Sequence, residues 1–454
     1  MTSQPPVLVV LAGGSNSRFW PLHEKSLFPF LGQPLLEHQL RAYAQAGFRR
    51  VVVVASPGNR ERIEDVTQRL DALAEVRVVI QQEPRGMGDA LLSLRPMLEE
   101  RDASAAPMPV YVCQVHDVFD PSLHARMLKA HQSESAFTWL ASYQVESYFP
   151  GGYLAVDRDL TITDIVEKPG RGHEPSNLIS IVAHVHPDLE RLLDQIEAEY
   201  QSPNPSDDHY ERAMQQLMRR FPFKALPYTG PWHPVKYPWH VLDVMHAFLD
   251  QIQPSIAEDA SIAPSATISG PVRVESGVRI LDGASIVGPA AIGRNTLVGQ
   301  NAHVRHSMVG EECIVGLGSE VNRSYLGRGA MLHTAKALDS VLAENAGAGQ
   351  HINLSAGMIT ANLRSDGATI KSTVKGERID TGRAKLGAMI GPGAFIGIGA
   401  MLMPGIKIGE GAIVGPATLV REDVADRTLH YAEQRYVTKP LDTSAATDEA
   451  GKSE

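Results

Sequence analysis

The chain has 454 residues, 43% of them hydrophobic, and a formal net charge of −10. This length predicts two to four domains with a substantial core, and the negative charge argues against a nucleic-acid-binding surface, which needs a basic face. Its two cysteines, Cys113 and Cys313, are too few for a disulfide framework or a cysteine-ligated zinc site. Because no apolar run approaches the length of a membrane span, we expect a cytoplasmic protein that contacts neither membrane nor nucleic acid.

The first 250 residues alternate short apolar runs with segments of helical period. The predicted strands cover residues 7–10, 51–55, 76–81, 110–115, 137–145, 153–156 and 179–185, and the predicted helices cover 34–47, 59–73, 87–101, 187–200 and 239–252. Such alternation predicts an α/β domain over residues 1–250, built on a mostly parallel sheet. Ligands of these sheets bind outside the carboxyl ends of the strands.

A glycine-rich turn follows the first predicted strand. Unblocked backbone N–H groups in such a turn can bind an anion, and nearby basic side chains add positive charge. The residues concerned are Leu11, Ala12, Gly13, Gly14, Arg18 and Lys25. This layout predicts a site for a nucleotide triphosphate or a sugar phosphate.

Beyond residue 250 the apolar residues recur every six positions. The uninterrupted series is Ile256, Ile262, Ile268, Val274, Ile280, Ile286, Ile292, Val298 and Val304, and after a slip the period resumes at Ile390, Ile396, Leu402, Ile408, Val414 and Val420. A six-residue period fits neither a helix nor a flat strand, and it predicts a solenoid of short strands over residues 251–436. Residues 441–454 are mainly Ser, Thr, Ala and acidic residues with nothing to bury, and we expect a disordered tail over residues 437–454.

Together these motifs resemble the sugar-1-phosphate nucleotidylyltransferases and the hexapeptide-repeat acyltransferases. The glycine-rich stretch is similar to the signature Leu-Ala-Gly-Gly-x-Gly-x-Arg followed by Pro-Lys, and its spacing from Arg18 to Lys25 resembles the bifunctional enzymes that make UDP-N-acetylglucosamine. The later stretch from Asn362 to Gly387 most resembles the bifunctional enzymes of archaeal type. The resemblance implies a Rossmann-like nucleotidyltransferase domain followed by a left-handed β-helix. Two residues depart from the signature: Asn16 replaces glycine, a change that positive φ tolerates, and Glu24 places negative charge near the expected phosphates.

The resemblance also implies a set of residues for the first site, with Mg²⁺ as cofactor. Arg18 and Lys25 would be catalytic and Asp117 would bind the metal, while further residues would bind the nucleotide (Leu11, Ala12, Gly13, Gly14, Gln81, Gly86 and Met87) and the sugar (Gly152, Glu167 and Asn177). His116 stands where the family usually has glycine. Pro234 stands where the family has a second metal carboxylate, and proline cannot ligate a hard cation.

For the second site the resemblance implies acetyl transfer from acetyl-CoA. His333 would be the general base, six residues before Asp339, as in the resembling acetyltransferases. The acceptor sugar phosphate would contact Arg323, Asn353 and Asn362, and acetyl-CoA would contact Ala356, Gly397 and Gly415. The resembling enzymes build these sites between the subunits of a homotrimer.

The leading hypothesis is therefore a bifunctional transferase that acetylates an amino-sugar 1-phosphate and couples a sugar 1-phosphate to UTP or dTTP, releasing pyrophosphate. A single-activity sugar-nucleotide pyrophosphorylase with a structural β-helix is one alternative. A catalytically impaired regulatory subunit is the other, and Glu24, His116 and Pro234 are the residues that favour it. The sequence leaves open which nucleotide and which sugar are used.

Overall fold

The computed structural model describes residues 5–14, 16–70, 73–102, 105–201, 208–344 and 351–440. An α/β domain forms the first part of the chain, and a solenoid of short parallel strands forms the second. Most of the predicted disordered tail, residues 441–454, lies outside the described residues. Within the described ranges, no helix combines the length and the hydropathy needed to cross a bilayer.

The α/β domain contains thirteen strands and eight α-helices among its described residues. The strands are β1 Val7–Leu11, β2 Pro29–Phe30, β3 Gln33–Pro34, β4 Arg50–Ala55, β5 Glu75–Ile80, β6 Val110–Gln114, β7 Asp117–Phe119, β8 Thr138–Gln144, β9 Gly152–Val156, β10 Ile162–Glu167, β11 Leu178–His186, β12 Phe223–Tyr228 and β13 Trp232–Pro234. The helices are α1 Leu35–Ala46, α2 Arg60–Gln68, α3 Met87–Leu92, α4 Arg95–Glu99, α5 Ser122–Ser133, α6 Leu189–Tyr200, α7 His209–Met218 and α8 Val241–Leu249, with short 3-10 helices at Lys25–Leu27 and Pro238–His240.

The central sheet is mixed, so the prediction of a mostly parallel sheet was wrong. Its strands lie in the order β10-β9-β11-β6-β1-β4-β5, with β8 beside β11 and β12 beside β8. The strands β6, β1, β4 and β5 are parallel neighbours, whereas β11 runs antiparallel to β6, β8 and β9. The parallel half places the ends of β1, β5 and β6 at one edge, where the predicted phosphate-binding turn emerges.

Two predicted helices have different bounds in the structure. The segment 87–101 forms two helices, because Pro96 lies in the first turn of α4, where its missing N–H favours a new helix start. Helix α2 ends at Gln68, although the apolar side chains of Leu70 and Leu73 still reach the core. Helices α5 and α7 were not predicted, and neither were strands β2, β3, β7, β10, β12 and β13.

The solenoid stacks its strands into three parallel sheets, which we call the first, second and third faces. The first face contains β14 Ser255–Ile256, β17 Val272–Val274, β20 Ala290–Ile292, β23 Met308–Val309, β26 Tyr325–Leu326, β29 Val341–Leu342, β34 Met389–Ile390 and β37 Lys407–Ile408. The second contains β15 Ser261–Ile262, β18 Arg279–Ile280, β21 Leu297–Val298, β24 Ile314–Val315, β27 Met331–Leu332, β30 Asn353–Leu354, β35 Phe395–Ile396, β38 Ile413–Val414 and β40 Leu429–His430. The third contains β16 Thr267–Ser269, β19 Ser285–Val287, β22 His303–Arg305, β25 Glu320–Asn322, β28 Lys336–Leu338, β31 Ile359–Thr360, β36 Met401–Leu402 and β39 Leu419–Val420, and a hairpin of β32 Lys371–Val374 and β33 Glu377–Asp380 projects between coils.

The predicted hexad residues lie in these strands, as the six-residue period indicated. The fold is that of a hexapeptide-repeat β-helix, consistent with the left-handed form. The solenoid continues through the apparent slip after Val304, where a corner loses one residue and the next inward position is Val309. Buried serine hydroxyls accept the backbone N–H groups at the shortened corners. The Ser324 N–H donates to Ser307 Oγ at 3.1 Å, and the Ser340 N–H donates to Ser324 Oγ at 3.0 Å.

The α/β domain covers the first face of the solenoid. The outward residues on this face are buried, in the order Ala291, Met308, Tyr325, Val341, Met389 and Lys407. Tyr325 donates its hydroxyl hydrogen to the carbonyl of Pro29 at 2.7 Å, and its ring lies 4.9 Å from that of Phe28. The second and third faces are therefore the ones left for ligands and other subunits.

Candidate functional sites

A cavity of about 210 Å³ opens where β1, β5 and β6 end. Because β1 lies between β4 and β6 in the parallel half of the sheet, the segments that follow these strands converge on one edge. Seven residues predicted to bind nucleotide line the cavity together with Lys25, namely Leu11, Ala12, Gly13, Gly14, Gln81, Gly86 and Met87. Asn16, Pro84, Gln114 and His116 also line it and were not among the predicted nucleotide contacts.

The Gln81 side chain is fixed against the glycine-rich turn. Its Nε2 donates to the Gly86 carbonyl at 3.1 Å and to Asp89 Oδ2 at 2.9 Å. A β-carbon on Gly13 would lie 3.0 Å from Gln81 Oε1 and 3.1 Å from the Ala55 carbonyl oxygen, so glycine is required there. Gly86 has a φ of 98°, a conformation that also favours glycine. These close approaches leave the wall of the cavity rigid and open to a flat ligand.

The two departures from the glycine-rich signature are hydrogen-bonded to each other. Asn16 Nδ2 donates to Glu24 Oε1 at 2.7 Å, and Asn59 Nδ2 donates to Glu24 Oε2 at 2.9 Å. Asn16 Oδ1 also accepts the backbone N–H of Lys25 at 3.3 Å. Both carboxylate oxygens of Glu24 therefore accept hydrogen bonds from asparagine side chains, while its charge still acts on Lys25.

Burial and charge shift the pKa values of the ionisable groups beside the cavity. Burial lowers the pKa of Lys25 to about 8, with the positive charge of Arg18 adding to the shift and Asp117 opposing it. Burial raises the pKa of Asp117 to about 6, although the indole N–H of Trp232, 3.0 Å from Oδ1, and the charge of Lys25 favour the carboxylate. Burial and Lys25 hold the pKa of His116 well below its usual value, so its imidazole is neutral.

Asp117 is opposed by Pro234 across the β7–β13 ribbon. The register pairs Pro234 with Asp117 and His233 with Val118, so the position where a second carboxylate was expected faces Asp117 but offers no ligand. Asp243 forms an ion pair with Arg383 of the solenoid. No cluster of three metal-ligating side chains occurs within the residues that the structure describes. A single carboxylate fits an ion such as Mg²⁺ only when substrate phosphates supply further oxygen ligands.

Lys236 is a cation of this site that the sequence analysis did not single out. Burial lowers its pKa, and the positive charges of Arg18 and Lys168 lower it further. Lys168 pairs with Glu167 at 2.9 Å, and Glu167 lies opposite Gly152 in the β9–β10 pairing. The predicted sugar residues Gly152 and Glu167 therefore share an electrostatic environment with the predicted phosphate residues. The only sign of Lys236 in the sequence is its position two residues after Pro234.

Arg18 and Asn177 are both exposed in the structure. Arg18 lies in the loop that follows the glycine-rich turn, and Asn177 immediately precedes β11, where its carbonyl accepts the backbone N–H of Val145. Neither contributes to the wall of the cavity. Both are accessible to a ligand that enters from solvent.

In the solenoid, His333 lies at the corner between the second and third faces. We call this the His333 corner, and its stacked turns contain Gly316, His333, Ser355, Gly397 and Gly415, joined coil to coil by backbone hydrogen bonds. The predicted acetyl-CoA residues Ala356, Gly397 and Gly415 are thus on the same edge of the solenoid as His333. A β-carbon at Gly397 would lie 2.7 Å from the Pro416 backbone nitrogen, so the stacked coils leave no room for a side chain at this position of the edge. Asn353 lies on the adjoining second face, and its buried Oδ1 accepts no hydrogen bond from the described residues.

Arg323, Asp339 and Asn362 lie together at the corner between the third and first faces, which we call the Asp339 corner. Arg323 forms a bidentate ion pair with the buried Asp339, at 2.6 and 2.7 Å, and Asn362 Nδ2 also donates to this carboxylate, at 2.5 Å. Strand β28 separates this corner from His333 by roughly 10 Å. One chain therefore does not bring the predicted sugar residues Arg323 and Asn362 next to the predicted base.

Comparisons with known proteins agree with the two-part architecture. Residues 7–226 match the family model for nucleotidyl transferase, and residues 387–422 match the model for bacterial transferase hexapeptide (six repeats). The chain is 29% identical over 389 residues to the bifunctional sugar-1-phosphate nucleotidylyltransferase/acetyltransferase of Sulfurisphaera tokodaii, an alignment that covers 84% of this chain and 89% of that protein. It is 26% identical over 438 residues to the bifunctional protein GlmU of Methanocaldococcus jannaschii, covering 95% of this chain and 99% of that protein.

Among solved structures, a UDP-glucose pyrophosphorylase from Acinetobacter baumanii aligns with 55% of this chain and 95% of its own. Its TM-score is 0.45 and its sequence identity is 17%.

Proposed function

We propose that each part of this chain retains the activity of the transferases to which it is similar, which join a nucleotidyl transferase domain to hexapeptide repeats. The first would couple a sugar 1-phosphate to UTP or dTTP and release pyrophosphate, and the second would acetylate an amino-sugar 1-phosphate. We place the boundary between the two domains at residues 250 and 251. The observation that supports the first activity best is a group of three cations, Arg18, Lys25 and Lys236, whose charges act on one another beside a cavity that Lys25 lines.

In the proposed nucleotidyl transfer, a phosphate oxygen of the sugar phosphate attacks the α-phosphorus of the nucleotide. A new P–O bond forms, the bond to the β-phosphate oxygen breaks, and pyrophosphate leaves with the electron pair. Arg18 and Lys25 would bind the β- and γ-phosphates and stabilise the charge on the leaving group. The cavity wall formed by Gln81, Gly86 and Met87 would hold the base.

Asp117 would bind Mg²⁺ together with the nucleotide phosphates. The ion supplies charge neutralisation when bound. Since Pro234 offers no second carboxylate, Lys236 would provide part of the positive charge on that side, next to the sugar phosphate. Gly152, Glu167 and Asn177 would bind the sugar hydroxyls.

In the proposed acetyl transfer, His333 would take a proton from the acceptor amine as nitrogen attacks the thioester carbon, and coenzyme A would leave as the thiol. Acetyl-CoA would lie along the His333 corner, against Ala356, Gly397 and Gly415. Asn353, whose buried oxygen lacks a donor within the described part of the chain, would accept a hydrogen bond from the acceptor sugar.

We also propose a cytoplasmic homotrimer, supported by two features of the solenoid. The His333 corner and the Asp339 corner are apart in one chain, so a second copy would be needed to unite their side chains. The outward rows of the last coils are apolar and exposed, namely Ile359, Phe395, Met401, Ile413, Leu419 and Leu429. Several outward positions of the earlier coils are polar, as at Ser261, Arg279, Ser285, His303 and Glu320, although Leu297 and Ile314 are apolar outward residues of the second face. A concentration of exposed apolar residues on the last coils is typical of a subunit interface.

Crossing nucleotide triphosphates with sugar 1-phosphates in the presence of Mg²⁺ tests the first activity by pyrophosphate release. A parallel assay of free thiol from acetyl-CoA, with glucosamine and galactosamine 1-phosphates as acceptors, tests the second. We expect UTP or dTTP to give the fastest pyrophosphate release and one amino-sugar phosphate to give thiol release. Pyrophosphate release without thiol release for any acceptor would reduce the solenoid to a structural role, and the absence of both would contradict the proposal.

A further inference from the structure

The loop that carries Arg18 and Lys25 is held from outside by the last coils of the solenoid. Trp20 Nε1 donates to Asp426 Oδ1 at 2.8 Å, and the same oxygen accepts the Glu410 backbone N–H at 2.8 Å. His23 Nε2 lies 3.1 Å from Glu410 Oε2. Two neighbouring coils thus contact the loop between its two cationic residues.

A buried lysine of the solenoid lies under the same loop. Lys407 is only 2% exposed, although its side chain points outward from the first face. Its Nζ donates to the Thr373 carbonyl and lies 5.6 and 5.8 Å from the ring centres of Trp20 and Trp239. Burial lowers the pKa of this ammonium to about 8. A buried cation between two indole faces is stabilised by their quadrupoles, so both rings are held against it.

The backbone of the loop is also close to the solenoid. A β-carbon at Gly391 would lie 3.0 Å from the Pro21 carbonyl oxygen, so the backbone of the loop packs directly against the backbone of the solenoid there. On its inner side the loop is held by the hydrogen bonds between Asn16 and Glu24. The loop has no regular strand or helix before the short helix at Lys25–Leu27. Phe19 and Leu22 anchor it in the core of the α/β domain, and the solenoid contacts hold its outer side.

We propose that Asp426, Trp20 and Lys407 form a joint through which the solenoid positions Arg18 and Lys25 for the nucleotide. These three are positioning residues, because they act through the loop and not on the substrate. This inference rests on the proposed nucleotidyl transfer for its kinetic consequence. Its structural consequence, order in the loop, does not depend on any activity.

The physical reason is the cost of ordering a loop at the moment of binding. Where the joint is intact, the two cations are already in place for the triphosphate, and little conformational freedom is lost when it binds. Where the joint is open, the loop samples other conformations, and only the fraction with the correct arrangement binds nucleotide. Apparent affinity then falls by that fraction.

The test compares Asp426→Ala with Asp426→Asn in the full-length chain. Alanine removes the acceptor for both N–H groups, whereas asparagine keeps an oxygen in the same place. We expect Asp426→Ala to raise the KM for the nucleotide about tenfold, the size of effect of one lost hydrogen bond, with a smaller change in kcat. Asp426→Asn should stay within about twofold of the parent protein. Acetyl transfer should be unchanged in both, since Asp426 is at a different corner from His333.

Asp259 offers a matched control at the same corner of the first coil. Its Oδ2 accepts hydrogen bonds from Ser276 Oγ at 2.6 Å and from the Gly277 N–H at 3.1 Å, so it ties coils together as Asp426 does. Asp259→Ala should leave both the nucleotide KM and the exchange of loop amides unchanged. Hydrogen exchange in residues 16–25 should rise only in Asp426→Ala.

Equal loop exchange and equal nucleotide KM in Asp426→Ala and Asp259→Ala would overturn the joint. Equal loss of nucleotidyl and acetyl transfer in Asp426→Ala would indicate a general folding defect and would also overturn it. If the parent protein releases no pyrophosphate with any substrate pair, the proposed function fails. The exchange measurement would still decide between an anchored and an independent loop.

Discussion

The two candidate sites are assembled in different ways. In the α/β domain, parallel strands end at one edge, so Gly13, Lys25 and Gln81 reach one cavity although they are far apart in sequence. In the solenoid, each coil returns its residues to three corners, so His333 and Asn362 stay on separate corners of the same chain. The sheet of the α/β domain therefore brings the residues of one candidate site together within one chain. The solenoid keeps its candidate residues on separate corners, so a site that uses both corners needs a second copy of the chain.

Substitutions at His333 are expected to give the largest effect and to separate the two sites most clearly. His333→Ala should lower acetyl transfer about 10²- to 10⁴-fold, because a positioned general base contributes that much, and nucleotidyl transfer should be unchanged. His303→Ala is the control, since His303 is another outward histidine, on an earlier coil of the third face. Retention of most acetyl transfer in His333→Ala would contradict the assignment of the base.

Substitution of Lys25 tests whether nucleotidyl transfer can be lost while acetyl transfer is kept. Lys25→Ala should lower pyrophosphate release about 10²- to 10³-fold, since removal of one preorganised charge donor at a developing anion costs that much. Thiol release from acetyl-CoA should stay at the parent level. The exposed Lys129 of α5 provides a surface control as Lys129→Ala. A similar loss of both activities in Lys25→Ala would argue for misfolding instead.

Substitutions at the apolar end of the solenoid test whether the acetyl-transfer site is shared between subunits. The double variant Ile413→Asp/Leu419→Asp would bury two charges at the proposed interface, and we expect a monomer in light scattering with acetyl transfer reduced roughly a hundredfold. Ser261→Asp, an outward change on the first coil, should leave the oligomer intact. A parent protein that is already monomeric at micromolar concentration would contradict the shared site.

The pKa of Lys25 predicts how nucleotidyl transfer depends on pH. With a folded-state pKa of about 8, the ammonium loses its proton above that pH, so kcat/KM for the nucleotide should fall about tenfold per pH unit beyond pH 8. The same shift, down from 10.5, makes the folded state bind fewer protons than the unfolded state between about pH 8 and 10.5, so this residue's contribution to stability rises with pH across that window. In Lys25→Arg the charge persists, and the alkaline fall should move to higher pH. An unchanged alkaline limb in that variant would assign it to another group.

Lys236 should have the smallest of these effects. Lys236→Met keeps the length of the side chain but removes its charge, and we expect a roughly five- to tenfold lower kcat/KM for the sugar phosphate, with less change for the nucleotide. Pro234→Asp in the same background should recover part of the loss at high Mg²⁺, because it supplies the missing carboxylate. Equal effects on both substrates would place Lys236 outside the sugar-phosphate side of the site.

The candidate nucleotide site could be predicted from sequence because it depends on local patterns. Gly13 and Gly86 occur where a close approach or a positive φ favours glycine, so the residue type alone marks these positions in the sequence. Lys236 was missed, because its role depends on electrostatic proximity to Arg18 and Lys168, which no spacing encodes. The hydrogen bonds of Glu24 were missed for a similar reason, since only the folded loop shows that Asn16 and Asn59 donate to its carboxylate.

The sequence alone determined the α/β part, the glycine-rich turn and the solenoid, because each follows from a period or a short motif that local physics imposes. Only the tertiary structure decided the antiparallel half of the sheet, the burial of the first face under the α/β domain and the separation of the two corners. These depend on contacts between residues far apart in the chain, such as Trp20 with Asp426 and Phe28 with Tyr325. A periodic pattern specifies which side of a strand is buried in its own coil, but it does not specify which neighbour covers the other side.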